Sequence, residues 1–242
     1  MSKKKSTRKP AQKKNETKET IITVVGAFLV LAVLIGLVVL AVSLGKDGPS
    51  ANAGSNGVTQ GQSQQPDAPT LDDAEIGKPT HIATLVIKDY GTITMELYGN
   101  LAPITVQNFV SLAERGFYDG LTFHRIIEGF MMQGGMPKGD DKPASIKGEF
   151  DSNGIPNPLA HTRGVVSMAR ANDPDSGSCQ FFIMQEDKPH LDGDYAAFGF
   201  VTSGIEVVDA ICSTAQPIDG NGGIAKADQP IIEKVTVTAI SE

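Results

Sequence analysis

The chain has 242 residues, which allows one ordinary domain with appendages or two small domains. Hydrophobic residues make up 40% and charged residues 20%, so a packed core is possible, and 26 glycines with 14 prolines indicate a turn-rich, strand-rich body. The net charge of −7 is uneven: residues 1–20 carry eight bases against two acids, a local charge of +6 that leaves −13 for the other residues. Because so acidic a body repels nucleic-acid phosphates, the sequence predicts no nucleic-acid partner.

Residues 21–44 form an apolar run without a charge, IITVVGAFLVLAVLIGLVVLAVSL. As a helix rising about 1.5 Å per residue, the run spans about 36 Å, enough to cross a hydrocarbon core of about 30 Å with some tilt. A buried core helix would need a polar face, which this run lacks. A cleaved signal peptide is the closer rival, but its apolar region usually has only about 7–15 residues, and residues 51–53 (ANA) are a weak cleavage site.

The sequence therefore predicts an uncleaved transmembrane anchor. The basic tail, residues 1–20, lies on its N-terminal side, so the positive-inside rule keeps the tail cytoplasmic and places the rest of the chain outside the cell membrane, as a single-pass protein. Residues 45–79 are rich in Gly, Ser, Asn, Gln, Asp and Pro and have few apolar side chains. They cannot bury enough surface to offset their ordering entropy, so they predict a disordered, flexible linker.

Two strands begin the folded domain predicted for residues 80–242. Alternating apolar and polar side chains place them at His81–Ile87 and residues 92–98. Pro103 then begins a helix with apolar residues at i, i+3, i+4 and i+7, and Gly116 ends it. Further apolar runs predict a second helix at residues 205–212 and strands at residues 121–127, 164–168, 180–184 and 231–240. Three long loops separate these elements, and such loops are usually functional: residues 134–160, 170–179 and 185–194.

Most enzyme templates are missing from the sequence. It has no P-loop, no dinucleotide glycine pattern and no G-x-S-x-G. The four histidines are dispersed, so no metal site and no cofactor are predicted. Cys179 and Cys212 lack metal-ligand spacing; a location outside the membrane would permit a disulfide, but the sequence favours two free, mostly buried thiols.

One segment, residues 123–135, concentrates an Arg, a Gln and apolar side chains among glycines that let a backbone approach closely: FHRIIEGFMMQGG. Alone, it would be interpreted as a core strand followed by a turn. It resembles the central motif of the cyclophilin family, FHRIIxGFMxQGG. Three other segments resemble that family in order and spacing: TVQNF at residues 105–109, GSCQFFI at residues 177–183, and LDG at residues 191–193 followed by FG at residues 198–199. The likeness spans essentially all of residues 80–242.

The resemblance implies a mainly β fold, a closed eight-stranded antiparallel barrel capped by two α-helices; the periodicity alone indicates only mixed strands with two helices. It also implies an activity, the cis/trans isomerisation of X–Pro peptide bonds in proline-containing polypeptides. Rotation about a peptide bond has a barrier of about 18–20 kcal/mol, and uncatalysed X–Pro exchange takes about 10–100 s. No covalent step is needed, because a catalyst only has to favour the twisted bond.

By resemblance, Arg125 is the catalytic donor, whose guanidinium is aimed at the prolyl nitrogen as that atom becomes pyramidal and basic. An isolated Arg would more often be a surface ion-pair residue, and its place before Phe130 and Gln133 reverses that judgement. Phe130 begins an apolar slot for the proline ring, and Gln133 hydrogen-bonds the substrate backbone. The other substrate-binding residues implied are Met131, Ala169, Ala171, Gln180, Phe182, His190 and Leu191, while His124 is expected to be structural.

Two positions depart from many eukaryotic cyclophilins. His190 stands where they carry Trp, a position that commonly contributes to cyclosporin binding, so the drug is expected to bind more weakly while isomerase activity survives. Arg170, followed by the acidic loop 172–176, replaces a small polar residue and is typical of the bacterial branch. This change predicts a shifted preference for the residue before proline.

Three functions remain open. The first is a prolyl isomerase that assists the folding of exported proteins at the outer face of the membrane. The second is a non-catalytic module or chaperone that binds proline-containing loops, and the third is a structural envelope protein in which only the anchor matters. Arg125, Phe130 and Gln133 favour the enzyme, since a pure binding module needs no donor to a transition state.

Overall fold

The computed structural model describes residues 77–241. The predicted tail at residues 1–20 and the predicted anchor at residues 21–44 lie outside the described residues, as does most of the predicted linker. Within the described range, neither helix is long and apolar enough to cross a membrane.

The described residues form eight strands and two α-helices. The strands are β1 (His81–Ile87), β2 (Gly91–Leu97), β3 (Phe123–Ile127), β4 (Met131–Gly134), β5 (Val165–Met168), β6 (Phe181–Met184), β7 (Ala197–Ser203) and β8 (Ile232–Ala239). The helices are α1 (Pro103–Glu114) and α2 (Ile205–Thr214). Three 3₁₀ turns lie in the long loops, at Asp151–Asn153, Pro174–Ser176 and Pro189–Leu191. Both predicted helices and six of the predicted strands are confirmed, with small differences at their ends.

The eight strands make one antiparallel sheet in the order β3-β4-β6-β5-β7-β2-β1-β8. The prediction of a fully closed barrel is corrected to a curled half-barrel. Its two ends, β3 and β8, form no ladder with each other. They are joined by the isolated bridge between Thr122 and Ile231 and by backbone hydrogen bonds from Phe123 to Pro230 (3.0 Å), from Ile232 to Leu121 (2.8 Å) and from Gly120 to Ile232 (2.7 Å). A continuous ladder would need both strands to extend into the same register, and here residues 118–121 form a turn, closed by a hydrogen bond from the Leu121 N–H to the Tyr118 carbonyl at 3.0 Å.

β4 and β7 were missed in the sequence. β4 has only four residues and follows β3 after a three-residue turn, so it offers almost no periodicity. β7 carries Gly199 at its centre, where glycine usually weakens a strand. That glycine is required by packing, because a Cβ there would lie 2.8 Å from the Glu96 carbonyl oxygen on the neighbouring strand.

Two apolar clusters cover the two faces of the central strands. The larger, called here the barrel core, includes Phe181 and Ile183 of β6 and the apolar faces of both helices. The smaller, called here the outer cluster, takes the alternate residues of the same strands. Its buried members are Tyr98, Met131, Leu159, Val165, Phe182, Met184, Leu191, Ala197 and Phe200. Because both faces are covered, β6 (FFIM) is apolar throughout and β5 (VVSM) is interrupted only by the buried Ser167, so neither strand shows alternation.

A buried carboxylate ties the long loop 134–160 to α1. Glu149 is 2% exposed and accepts hydrogen bonds from the N–H groups of Ile104 (3.0 Å) and Thr105 (2.8 Å) in the first turn of α1. These donors have no partner inside the helix, and the positive end of the helix dipole favours the carboxylate. The same loop contributes Leu159 to the outer cluster. Cys179 and Cys212 are both free and buried, as predicted.

Candidate active site

A β-bulge brings the Arg125 side chain to the outer face of the sheet. In the β3–β4 ladder Phe123 pairs with Gly134 and Arg125 pairs with Gln133, so His124 is an extra residue on β3. In an unbroken strand, residues 123 and 125 would share a face. Instead, Phe123 and Ile126 both enter the barrel core, and Arg125 turns away from them. Its guanidinium thereby reaches the surface that carries the outer cluster.

The Arg125 guanidinium is held on several sides. Its Nε donates to the Asn221 carbonyl oxygen at 2.7 Å, and its Nη1 donates to Gln133 Oε1 at 3.4 Å and lies 3.9 Å from Met131 Sδ. The guanidinium carbon lies 5.9 Å from the centre of the Phe130 ring. Within residues 77–241, Nη2 makes no hydrogen bond, so its N–H groups remain able to donate to a bound ligand.

Arg125 stays a cation despite its partial burial. Burial lowers the pKa of the guanidinium, while Tyr195 and Asp219 act in the opposite direction. A guanidinium has so high an ordinary pKa that it keeps its proton at any physiological pH. The site therefore presents a permanently charged, restrained donor.

A row of polar side chains continues from Arg125 across the sheet. Gln133 accepts from Arg125 through Oε1 and donates through Nε2 to Gln180 Oε1 at 3.0 Å. The Gln180 main-chain carbonyl accepts from the Ala169 N–H at 2.9 Å. The row thus connects β3 and β4 to the segment that precedes β6 and to the chain after β5.

Beside this row lies an apolar surface. Met131 and Phe182 are 1% and 5% exposed within the outer cluster, and Leu191 is 8% exposed. Phe130 packs against the cluster but is only half-buried, so one side of its ring faces solvent. The exposed imidazole of His190 lies 6.2 Å from that ring, centre to centre. A small apolar ring could bind here with one edge facing the guanidinium.

The predicted site residues are therefore largely brought together. Arg125, Gln133 and Gln180 form the polar row; Phe130, Met131, Phe182 and Leu191 share the apolar surface; and His190 stands at its rim. Ala169 also packs on the outer cluster. Ala171 is exposed, and its N–H donates to Ser176 Oγ at 2.9 Å, so its described contact is within its own loop.

Sequence reasoning missed Tyr195, which belongs to the same surface. Its ring packs edge-on against Phe182 at 5.7 Å and lies under the Arg170 guanidinium at 4.7 Å. The Arg170 guanidinium also lies 5.1 Å from the centre of the Phe150 ring, and its Nε donates to the Asp194 carbonyl at 2.8 Å. The signal available in the sequence was an aromatic residue two positions after the LDG segment, in the short connection between Leu191 and β7.

His161 was also missed, and it supports the apolar surface from below. The imidazole is 1% exposed, stacks on Phe182 at 6.0 Å, and lies 2.9 Å from Asp192 Oδ1 and 3.1 Å from Ser167 Oγ. Burial lowers its pKa although Asp192 opposes the shift, so the ring is neutral, with Nδ1 donating to the carboxylate. Enclosed in this way, His161 holds Phe182 in place and has no access to a substrate.

The other ionisable group beside Arg125, His124, offers no acid–base chemistry. Burial and the adjacent Arg125 charge lower the pKa of His124 to about 4, so this imidazole is neutral at physiological pH. In the described part of the chain, no group of three or more His, Cys, Asp or Glu side chains could hold a metal ion. The arrangement can stabilise a charge or a lone pair and hold an apolar ring, without a nucleophile or a proton relay.

Comparison with known proteins places this geometry in context. Residues 82–240 match the family model described as cyclophilin type peptidyl-prolyl cis-trans isomerase/CLD. Peptidyl-prolyl cis-trans isomerase B of Bacillus subtilis is 48% identical over 124 residues, which cover 50% of this chain and 83% of that protein. A peptidyl-prolyl cis-trans isomerase of Helicobacter pylori is 47% identical over 126 residues, 50% of this chain and 74% of that protein.

Solved structures agree with these relatives. The crystal structure of a cyclophilin type peptidyl-prolyl cis-trans isomerase from Cryptosporidium parvum, determined in the presence of the dipeptide Ala-Pro, superposes with a TM-score of 0.56 at 27% identity. The match covers 65% of this chain and 98% of that one. The cyclophilin AquaCyp293 from Hirschia baltica superposes with a TM-score of 0.53 at 25% identity, covering 66% of this chain and 74% of that one.

Proposed function

This chain belongs to the cyclophilin-type peptidyl-prolyl cis-trans isomerase family, and on that premise we propose which residues carry its reaction and where in the cell it acts. It catalyses the cis/trans isomerisation of X–Pro peptide bonds. Its substrates are polypeptides that contain proline. The roles of individual residues and the membrane location are the proposal.

Arg125 stabilises the twisted peptide bond. As the C–N bond rotates, amide resonance is lost and the prolyl nitrogen regains a basic lone pair. The Nη2 group of Arg125 donates to that nitrogen, while Asn221 and Gln133 hold Nε and Nη1 in place. A donor that is already oriented does not need to reorganise as the transition state forms, and a planar nitrogen in the ground state accepts poorly, so the interaction favours the transition state.

The apolar surface holds the proline ring while the preceding residue rotates. Phe130 covers the ring, with Met131, Phe182 and Leu191 beneath it and His190 at the edge. Gln133 and Gln180 bind the substrate backbone, and Ala169 and Ala171 leave space for an extended chain.

The Arg170 segment also supports our proposal that the chain belongs to the bacterial branch. Cyclosporin is expected to bind weakly, because His190 offers less apolar area than Trp.

The location rests on the sequence of the N-terminal region. The uncharged run at residues 21–44 and the basic tail before it support a single-pass anchor with its N-terminus in the cytoplasm. The polar linker gives the domain reach. We therefore place the isomerase domain at the outer face of the cytoplasmic membrane, where it assists the folding of exported proteins.

The observation that carries the catalytic proposal is the restrained Arg125 beside Phe130, whose Nη2 makes no hydrogen bond within residues 77–241. The test compares the full-length chain in detergent with its Arg125→Ala variant, with X–Pro exchange in a short peptide followed by NMR. We expect the variant to lose about tenfold or more in kcat/KM, or about 1.4 kcal/mol of transition-state stabilisation. Fast exchange that survives the substitution would remove Arg125 from the mechanism, and peptide binding without acceleration by the wild type would favour the non-catalytic binding module.

The location has a separate test. In intact cells stripped of any outer wall, added protease should cut the linker and release the isomerase domain, while a tag before residue 20 stays protected until the membrane is opened. A protected domain with an accessible tag would overturn the predicted orientation. Release of a soluble domain without protease would instead indicate cleavage after the apolar run.

A further inference from the structure

The turn that carries Phe130 needs support from outside the hairpin. It spans Ile127 to Phe130 and is closed by a hydrogen bond from the Phe130 N–H to the Ile127 carbonyl at 3.1 Å. Gly129 has φ of +71°, which a tight turn accepts readily from glycine. The Gly129 N–H points away from the turn. The acceptor of the Gly129 N–H therefore determines how rigidly the Phe130 ring is held at the apolar surface.

That partner is Gln185, which follows β6. Gln185 Oε1 accepts from the Gly129 N–H at 2.6 Å, and the Gln185 main-chain N–H donates to the Phe130 carbonyl at 2.8 Å. One residue thus holds both the glycine of the turn and the aromatic residue that follows it. Gln185 is only 9% exposed, so its side of these bonds is shielded from water, while Gly129 and Phe130 are partly buried.

Gln185 is itself fixed by an ion pair that reaches α2. Arg163 binds Asp209 of α2 through two hydrogen bonds, of 2.8 and 2.5 Å, and donates to the Gln185 carbonyl at 2.7 Å. The Gln185 amide nitrogen Nε2 lies 3.4 Å from Asp209 Oδ1. The hydrogen bond from Arg163 lowers the pKa of Asp209, so the carboxylate is ionised and can only accept hydrogen bonds from Gln185. This fixes the amide orientation, with Nε2 toward Asp209 and Oε1 toward Gly129.

We propose that Gln185 is a positioning residue for the isomerase reaction, which holds the Phe130 turn in register with Arg125 through its hydrogen bond to Gly129. The proposal rests on the proposed function, since it assigns Gln185 to the same site. Gln185 does not touch the substrate. Its effect passes through Phe130, whose ring lies 5.9 Å from the guanidinium. Loss of the bond leaves the partly buried Gly129 N–H without its acceptor, so the turn relaxes toward water and the ring loses its fixed distance from Arg125.

The experiment compares the full-length wild-type chain with Gln185→Met, which keeps side-chain length but removes the acceptor. We expect kcat/KM for a short X–Pro peptide to fall about three- to tenfold. The Gly129 amide proton should move upfield and exchange faster with solvent. The matched control is Gln216→Met, because Gln216 is exposed and, among the described residues, its side chain donates only to the Thr214 carbonyl at 3.4 Å. That control should stay within about twofold of wild type.

A rescue separates positioning from a general loss of stability. Gln185→Glu retains an acceptor for Gly129 but places a second carboxylate beside Asp209, and adding Asp209→Asn removes that repulsion and supplies a donor. The double variant is compared with Asp209→Asn alone, and we expect its kcat/KM to lie within about twofold of that reference, with the Gly129 amide protected again. Should Gln185→Met fail to fold, Gln185→Asn, which is one methylene shorter, takes its place in the comparison.

Two results would overturn the proposal. One is a Gly129 amide that loses its protection while kcat/KM remains at the wild-type value. The other is a double variant in which the Gly129 bond returns but activity does not. A wild-type chain that does not accelerate exchange is a different outcome, because it removes the proposed function before any Gln185 variant is compared.

Discussion

Substitution of Asp219 by alanine is expected to lower kcat/KM by about two- to fivefold, although this side chain lies outside the apolar surface. Asp219 Oδ1 accepts from the N–H groups of Asn221 at 2.8 Å and Gly223 at 3.0 Å and so shapes the loop after α2. The same loop supplies the Asn221 carbonyl that holds Arg125 Nε at 2.7 Å. Without Asp219 the loop gains freedom, and the guanidinium loses its firmest restraint.

The magnitude follows from the exposure of these bonds. Each net hydrogen bond contributes about 0.5–1.5 kcal/mol, and exposed ones lie at the lower end because water replaces them. Two such bonds contribute about 1 kcal/mol to the stability of the loop. Only the part of this free energy that restrains Arg125 affects the barrier of the reaction. About 0.4–1 kcal/mol corresponds to about two- to fivefold in rate.

The assay is NMR exchange of an X–Pro peptide with the full-length chain. Asp228→Ala is the matched control, because Asp228 is an exposed carboxylate in the same connection, between α2 and β8, and within the described residues its side chain makes no hydrogen bond. Asp219→Asn should retain most activity, since its amide oxygen can still accept from the loop. Equal rates for Asp219→Ala and Asp228→Ala would refute the reasoning that the loop orients Arg125.

Three further predictions concern other groups. The pKa of His124 is lowered to about 4, so as the pH falls below about 6.5 the unfolded state binds the proton before the folded state does. The free energy of unfolding should therefore drop by about 3 kcal/mol at most between about pH 6.5 and 4. Denaturation of His124→Gln at several pH values should show a flatter dependence on pH. His190→Trp should tighten cyclosporin binding about tenfold in a calorimetric titration without lowering isomerase activity, because the larger ring adds apolar contact beside Phe130. Burial raises the pKa of Cys212 to about 12 and also raises that of Cys179. Neither thiol should therefore react with a maleimide at pH 7.5 until denaturant is added. Rapid labelling of the native chain would contradict the burial of both thiols.

Much of the fold was predictable from local patterns. The strand β1 has the predicted bounds, and α1 begins at the predicted proline. The elements that escaped detection are those whose identity depends on distant neighbours. Gly199 is tolerated in β7 because the backbone of β2 lies against it, and no pattern within β7 contains that fact. The incomplete closure between β3 and β8 likewise depends on where two segments about 110 residues apart happen to meet.

The site residues were predictable only through the resemblance. Periodicity would have assigned Phe130, Met131 and Phe182 to an ordinary core, because an outer cluster and a barrel core have the same composition. The same alternation would also have placed residue 125 on the face of Phe123, and only the bulge at His124 turns Arg125 to the opposite side. Tyr195 and Gln185 escaped because their roles lie in contacts with Phe182 and Gly129, each far away in sequence.

The restraint on Arg125 is the strongest structural reason to distinguish an enzyme from a binding module. A groove that only binds proline needs the apolar surface and backbone partners, and a half-buried cation would weaken it, since removing a charge from water is costly. Here two of the three guanidinium nitrogens donate, one to a loop after α2 and one to β4, while the third, Nη2, makes no hydrogen bond within residues 77–241. Such an arrangement gains nothing from a planar prolyl amide, whose nitrogen is a poor acceptor. On the proposed function it gains only when the bond twists, so the half-buried Arg125 favours the enzyme over a pure binding module.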